Sequence, residues 1–338
     1  MLTMPYMFVK ANDAEGSGHD VGFSIGPNFA LTDLGGAKKI GAPFIRDVDF
    51  KATRYCISAF YRYNVNKFFA VSANLKYGML KADDNNTDGT PPPSIADPLS
   101  KDSDSWYRAR RNLNFETHMF EFQALAEINL KKYLHDEARG SKERWAPYIA
   151  GGLGFFYFNP YTRLNGDKVK LKPLGTEGQN IGYKKPYSNF QFDLMALVGI
   201  KYNVTERISI ALEGVYHQTF TDYLDDVSGS YINPQDISRL SSTAQILQNR
   251  SNTGSYPLNE WNYVEGQFLT NTTAPPNRDL NTAANALGQQ RGDKKDNDQF
   301  FHVQLTFSFS LVASGKKLGF GSCGKRNPYH HKFACPKW

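Results

Sequence analysis

The 338-residue sequence predicts an all-β fold, an eight-stranded antiparallel transmembrane β-barrel with long extracellular loops and a short C-terminal periplasmic tail. Three observations carry that expectation. Segments of period-two hydropathy recur along the chain, the mark of a strand with one apolar and one polar face. Short and long connections alternate between them, the layout of an outer-membrane barrel. The polar faces carry opposite charges, which a soluble core admits only at a large desolvation cost.

The elements follow in chain order. Residues 2–9 of "MLTMPYMFVKANDAEG" are mostly apolar, and Val9-Lys10-Ala11 offers a small-residue cleavage site. Residues 1–11 are therefore expected to be a truncated signal peptide whose basic n-region is missing. The barrel is expected over 12–312. "VGFSIGPNFAL" is rich in glycine yet alternates, and places a first strand near 19–32. "RYCISAFYRYN" sets Tyr55, Ile57, Ala59, Tyr61 and Tyr63 against Cys56, Ser58, Phe60 and Arg62, a strand near 52–65. "FFAVSANLKYGM" gives one near 67–81, with Lys76 on its polar face. "HMFEFQALAEINL" gives one near 113–131, with Glu121 and Glu127 on the polar side. "WAPYIAGGLGFFYF" alternates less cleanly over 145–158; its "GGLG" lacks a following helix and reads as relief of crowding in a tight barrel. "FQFDLMALVGIKY" and "RISIALEGVYHQTF" predict strands near 189–203 and 206–221. In "FFHVQLTFSFSLV", Phe301, Val303, Leu305, Phe307, Phe309 and Leu311 alternate with His302, Gln304, Thr306, Ser308 and Ser310, a last strand near 299–312.

"NVNK" and "NVTER" are short connections and "HDEARGSKER" a moderate one, whereas 33–51, 82–112, 159–188 and 222–298 are long. A water-soluble lipocalin-like barrel shares the strand number with its faces reversed. The strict parity of the loops and the export-like start favour the membrane. The apolar faces then meet lipid, and Arg62, Lys76, Lys201 and Arg207 should pair with Glu121, Glu127, Asp193 and Glu213 in a lumen charge network. With 19 Tyr and 24 Phe in the chain, interfacial girdles are expected, from Tyr61, Tyr63, Trp145, Tyr157, Tyr202 and Tyr223.

No run approaches 18 consecutive apolar residues, so no spanning helix is expected. Residues 313–338 contain six cations and no acid, which equals the whole net charge of +6. The remainder balances, so nothing suggests a nucleic-acid surface. Three cysteines are too few for a disulfide scaffold. Cys56 is expected to face the lumen as a free packing residue. Cys323 and Cys335 are expected to bridge in an oxidising compartment; a zinc site with His330 and His331 is the alternative.

"DYLDDVSG" brings Asp222, Tyr223, Asp225, Asp226 and Gly229 to the outer rim after the seventh strand. The acids could bind a cation or, with His217, do hydrolytic work, but capping of local amides is the expected role. "DNNTDG" at 84–89 supplies Asp84, Asn86, Asp88 and Gly89 of a calcium loop, but position twelve is Ile95 and "PPP" at 91–93 intrudes. No catalytic set, cofactor site or metal centre is expected.

"TDYLDDVSGSYINP" at 221–234, "RWAPYIAGGLGFFYFNP" at 144–160, the "FYRYNVNKFFAV" hairpin at 60–71 and the terminal "ACPKW" resemble the PorG-like outer-membrane β-barrel family of Bacteroidota, associated with the type IX secretion system. The resemblance covers most of the barrel and the tail; "DYLDDVSG" is its most specific part, and 235–298 shows no family pattern. It implies a structural, non-enzymatic barrel that contacts the periplasmic ring, built from a PorK-like lipoprotein and its partner PorN. A stand-alone barrel whose long loops bind a ligand or host surface is the alternative. In the ring-bound reading the tail is the contact: Lys316, Lys317, Lys325, Arg326, Lys332 and Lys337 would meet an acidic partner, and Tyr329, Phe333 and Trp338 would supply apolar anchors.

Overall fold

A computed structural model describes residues 18–36, 48–66, 68–87, 108, 111–130, 144–205, 207–232, 234–250 and 291–311. The signal-like start, the tail with Cys323, Cys335, His330 and His331, and Asp88, Gly89 and Ile95 lie outside the described residues.

The strands are β1 (Gly18–Leu31), β2 (Arg54–Asn64), β3 (Phe69–Asp83), β4 (Asn114–Asn129), β5 (Trp145–Leu164), β6 (Asp167–Lys170), β7 (Phe190–Asn203), β8 (Ile208–Thr219) and β9 (Gln299–Ser310). All but β6 pair antiparallel with both neighbours around a closed ring, and β1 on β9 completes it, with Phe23 opposite Phe307. The fold is a closed eight-stranded barrel. Closure removes the exposed edges that an open sheet would present.

The ninth strand belongs to no predicted element. β5 runs past the rim, and its last residues pair with β6 across the two-residue turn Asn165-Gly166, both at positive φ. An Asn-Gly turn matches the twist of a hairpin and is the sequence signal for it. β1, β3 and β8 also end on this side, where the four long connections leave the barrel; β2, β4 and β7 end on the other, where the shorter ones leave.

Alternation settles the faces. Outward residues such as Leu75, Val198 and Leu212 are 66%, 64% and 55% exposed, while their neighbours Lys76, Leu197 and Glu213 are buried. An apolar exterior of this extent, continued by Phe120, Phe192 and Leu305, is stable against hydrocarbon and unfavourable against water. An eleven-residue strand at about 3.3 Å per residue and about 40° tilt rises about 28 Å, a bilayer's hydrocarbon thickness. At the short-turn end Trp145 packs on Tyr202 at 4.6 Å, and Tyr61 and Tyr63 near the end of β2 are exposed. At the long-loop end Tyr157 sits 5.1 Å from Phe190. Tyr223 departs from the expected girdle: its ring stacks on Tyr187 at 4.7 Å inside the loop assembly, because the chain has turned over the barrel mouth by that point.

Crowding explains two glycines. A Cβ at Gly152 would lie 2.0 Å from the Ala124 carbonyl oxygen, and one at Gly154 would lie 2.0 Å from Asp193 Oδ1. The first lets β4 and β5 pair closely; the second leaves room for charged groups in the lumen.

Candidate functional site

The lumen is filled in three tiers. Nearest the short turns, Arg62 Nε lies 3.1 Å from Glu127 Oε2, and Lys201 pairs with the other oxygen of Glu127. Asp20 accepts from Asn64 Nδ2 at 2.9 Å and Ser310 Oγ at 2.6 Å. Glu213 differs from expectation. Its carboxylate is held by neutral donors, Tyr148 OH, Gln304 Nε2 at 2.6 Å and Thr306 Oγ1 at 2.8 Å, rather than by a cation. The three donors converge on it from β5 and β9, while Arg62 and Lys201 are taken by Glu127. Arg207 also departs: it is exposed in the turn before β8, one residue short of the shielded lumen.

In the middle tier, Lys76 Nζ lies 3.5 Å from Glu121 Oε2, 3.0 Å from His302 Nδ1 and 3.4 Å from His217 Nε2. His217 Nδ1 lies 2.5 Å from Asp193 Oδ2 and 3.4 Å from Glu121 Oε1. The His217 ring stacks on Phe300 at 4.0 Å. Asp193 thus meets a histidine, and His217 belongs to this group rather than to the rim acids. Cys56 is buried facing inward with a free thiol.

The upper tier is apolar. Leu80, Phe115, Met119, Phe156, Phe158 and Phe300 point inward and continue into Leu34, Leu113, Leu171, Leu224, Val227 and Leu247 from the loops. The long loops therefore sit on the barrel mouth as a cap with its own core.

A polar network binds the cap together. Asp84 accepts from Gly35 N at 3.0 Å, Leu113 N at 3.0 Å and Arg111 Nε at 2.8 Å, joining the first and second long loops. These partners use the Asp84 carboxylate, and Asn86 donates to Asp49 at 2.6 Å, so both residues serve the loop structure. Arg291 Nη1 donates to Glu177 Oε1 and to the Asp226 carbonyl, both at 2.9 Å, joining the third and fourth. Asp225 accepts from its local amide Val227 N at 2.9 Å and from Leu34 N at 3.1 Å. Asp226, at φ +67°, accepts from Thr176 Oγ1 at 2.5 Å and Tyr187 OH at 2.7 Å. The Gly229 carbonyl accepts from Gly292 N at 2.8 Å. "DYLDDVSG" is thus the hub where the first, third and fourth long loops meet, which goes beyond local capping.

Burial among like charges raises the acids here. Asp33 and Asp226 are pushed up to about 6 and Asp222 to about 8, burial being the largest cause in each. Asp225 and Asp298 also stand well above the usual carboxylate range, again through burial and then neighbouring acids. For Glu177, burial acts upward, but the charges of Arg291 and Lys184 outweigh it and hold the carboxyl below its ordinary value.

Asp33, Arg111, Glu177 and Arg291 escaped the sequence reading. They are single charged residues in long irregular loops, and only the folded cap brings them together. The seven lumen residues Arg62, Lys76, Glu121, Glu127, Asp193, Lys201 and Glu213 had a signal, the polar parity of their strands.

No protein-family model and no curated protein matches the chain. Among solved structures it is similar to Neisserial surface protein A (10% identity, TM-score 0.36, covering 87% of this chain and 99% of that one). It is similar as well to Ail of Yersinia pestis in complex with a heparin analogue (10%, 0.32, 87% and 99%). A third is the outer membrane protein OprG of Pseudomonas aeruginosa (11%, 0.31, 89% and 100%). Likenesses of this strength bear on neither location nor activity.

Proposed function

We propose that this barrel resides in the outer membrane as a structural component of the type IX secretion system, with the short turns and tail in the periplasm. There it anchors the ring lipoprotein, PorK-like, with its PorN-like partner. One observation carries the structural reading: the lumen is packed with buried side chains and its long-loop end is covered by an interlocked cap. An eight-stranded barrel so filled leaves no aqueous conduit along the described lumen, which argues for a scaffold rather than a porin. The apolar belt supports membrane residence. The family resemblance of "DYLDDVSG" and "ACPKW" supplies the finer assignment, and the basic tail supplies a surface for an acidic partner.

A second reading is favoured by the cap. The described parts of the four long loops, held by buried ion pairs and hydrogen bonds, make a fixed outward platform, suited to binding a ligand or a host surface. Co-purification from detergent-extracted envelopes tests the first reading. The full chain should bring down a periplasmic lipoprotein, and a chain lacking 316–338 should reach the membrane at normal abundance, lose that partner and block secretion. Normal secretion with the truncated chain overturns the assignment. Loss of surface binding on deleting 235–290, with secretion intact, supports the platform.

A further inference from the structure

We infer that Glu121, Asp193 and His217 form a binding site for one divalent transition-metal ion, of the zinc class, in the middle of the barrel lumen. The three come from β4, β7 and β8, and one ligand atom from each lies within 4.8 Å of the others. All three side chains are buried. Between their strands runs β5, where Gly154 stands opposite Asp193. Any side chain at 154 would intrude, since its Cβ would lie 2.0 Å from Asp193 Oδ1 and 2.6 Å from Glu121 Oε1. The missing side chain is what lets two carboxylates lean together across a strand.

Beyond Lys76 and His217, the carboxylate oxygens there are short of donors. Asp193 Oδ1 and both Glu121 oxygens are buried without a hydrogen-bond partner. Lys76 approaches Glu121 from the Oε2 side at 3.5 Å, away from the Oε1 edge that meets Asp193. Two carboxylates against Lys76 leave the group one positive charge short when His217 is neutral, and buried carboxylate oxygens need either donors or a cation. His217 turns Nδ1 toward them and is clamped by the Phe300 stack.

One nitrogen and two carboxylate groups are a borderline donor set, fit for zinc and similar ions rather than calcium. The 3.4 Å between His217 Nδ1 and Glu121 Oε1 is close to the edge of a tetrahedron with bonds of about 2.0–2.1 Å. Asp193 Oδ2, at 2.5 Å from Nδ1, has to withdraw by about 0.8–0.9 Å to reach that edge, or yield to Oδ1. On binding, the ion replaces the proton between Nδ1 and Asp193, and that proton leaves to solvent or passes to Nε2. Lys76 keeps its hydrogen bond to His302 Nδ1 and its pair with Glu121. Such an ion ties three strands across the lumen and, in a filled barrel, enters while the barrel closes.

The test is refolding of the full chain into detergent with Co2+, using His330→Ala/His331→Ala as the parent so that the tail histidines contribute nothing. After desalting, the parent should retain stoichiometric Co2+ with the visible spectrum of a four- or five-coordinate N/O site. Its heat-modifiable band should persist to a higher temperature than after refolding with EDTA. Asp193→Asn, Glu121→Gln and His217→Gln should each lose the spectrum and that shift while still showing the folded band. The proposal is overturned if the parent retains no Co2+, shows only the spectrum of the hexaaqua ion, or unfolds at the same temperature with and without metal. The parent's measurements decide even where a variant fails to fold. They are independent of the secretion assay, so either reading can fail alone.

Discussion

Glu213 shows how a single lumen residue decides the cost of a mutation. Glu213→Ala would strand Tyr148 OH and Gln304 Nε2, two donors already out of water, and leave Thr306 Oγ1 only Ser24 Oγ. Each unsatisfied donor costs about 1–3 kcal/mol, less than additively, so a loss of about 3 kcal/mol or more is expected. Its sequence neighbour Leu212 faces the other way, between Ile200 and Leu305. Leu212→Arg should cost about 2–4 kcal/mol near the midplane of a bilayer. Arg207→Ala, in the exposed turn, should stay within about 0.5 kcal/mol of wild type. Equilibrium unfolding in lipid vesicles reads all three. A tolerated Leu212→Arg beside a damaging Arg207→Ala would mean that the faces are reversed.

Strands were legible in the sequence wherever the two parities differ in chemistry. β2, and β9 from Phe301 on, set an apolar series against a mostly polar one, so position and face followed from period two alone. The reading failed where both parities are apolar. "GFFYF" in β5 and "QFF" opening β9 place Phe156, Phe158 and Phe300 inward, giving an apolar upper lumen that a polar-lumen rule does not foresee. It failed again at strand ends, because Arg207 continues the parity of β8 but lies outside its ladder. The middle site was legible residue by residue and not as a group: Glu121, Asp193 and His217 are brought together by the registers of β4, β5, β7 and β8. Those registers depend on Gly152. Gly152→Val would drive a side chain into the backbone of Ala124, which cannot move without breaking the β4–β5 ladder. Gly151, whose Cβ would make only an ordinary contact at 3.6 Å, should accept the same change. Folding yield by heat-modifiability separates the two; equal yields would refute the close-approach role of Gly152.

The whole molecule combines a barrel held by its ladders with a cap held by side chains, and the two should respond separately to insult. Arg291→Ala leaves Glu177 and the Asp226 and Gln248 carbonyls without their buried partner. Since Lys184 and the Ser228 amide still hold the Glu177 carboxylate, a loss of about 1–3 kcal/mol is expected, confined to the cap. Limited proteolysis should then cut the long loops while the barrel band survives. Acidity should act on the same structure in a set direction. Asp33, Asp222 and Asp226 titrate near 6, 8 and 6 in the cap, and Asp225 and Asp298 higher than usual as well, against about 4 in an unfolded loop. Between those values the folded cap binds more protons than the open one, so its stability is full below about pH 4 and declines as pH rises toward 8. Glu177 has the opposite sign, but its depressed carboxyl acts only below its ordinary value, outside that window. Hydrogen exchange of the loops, corrected for intrinsic rate, should show weaker protection at pH 8.5 than at pH 5.5, with the strands unchanged. Asp222→Asn, which cannot ionise, should flatten the upper part of that slope. Stronger loop protection at pH 8.5, or a slope indifferent to Asp222→Asn, would show that the cap acids are compensated by cations rather than held by burial among one another.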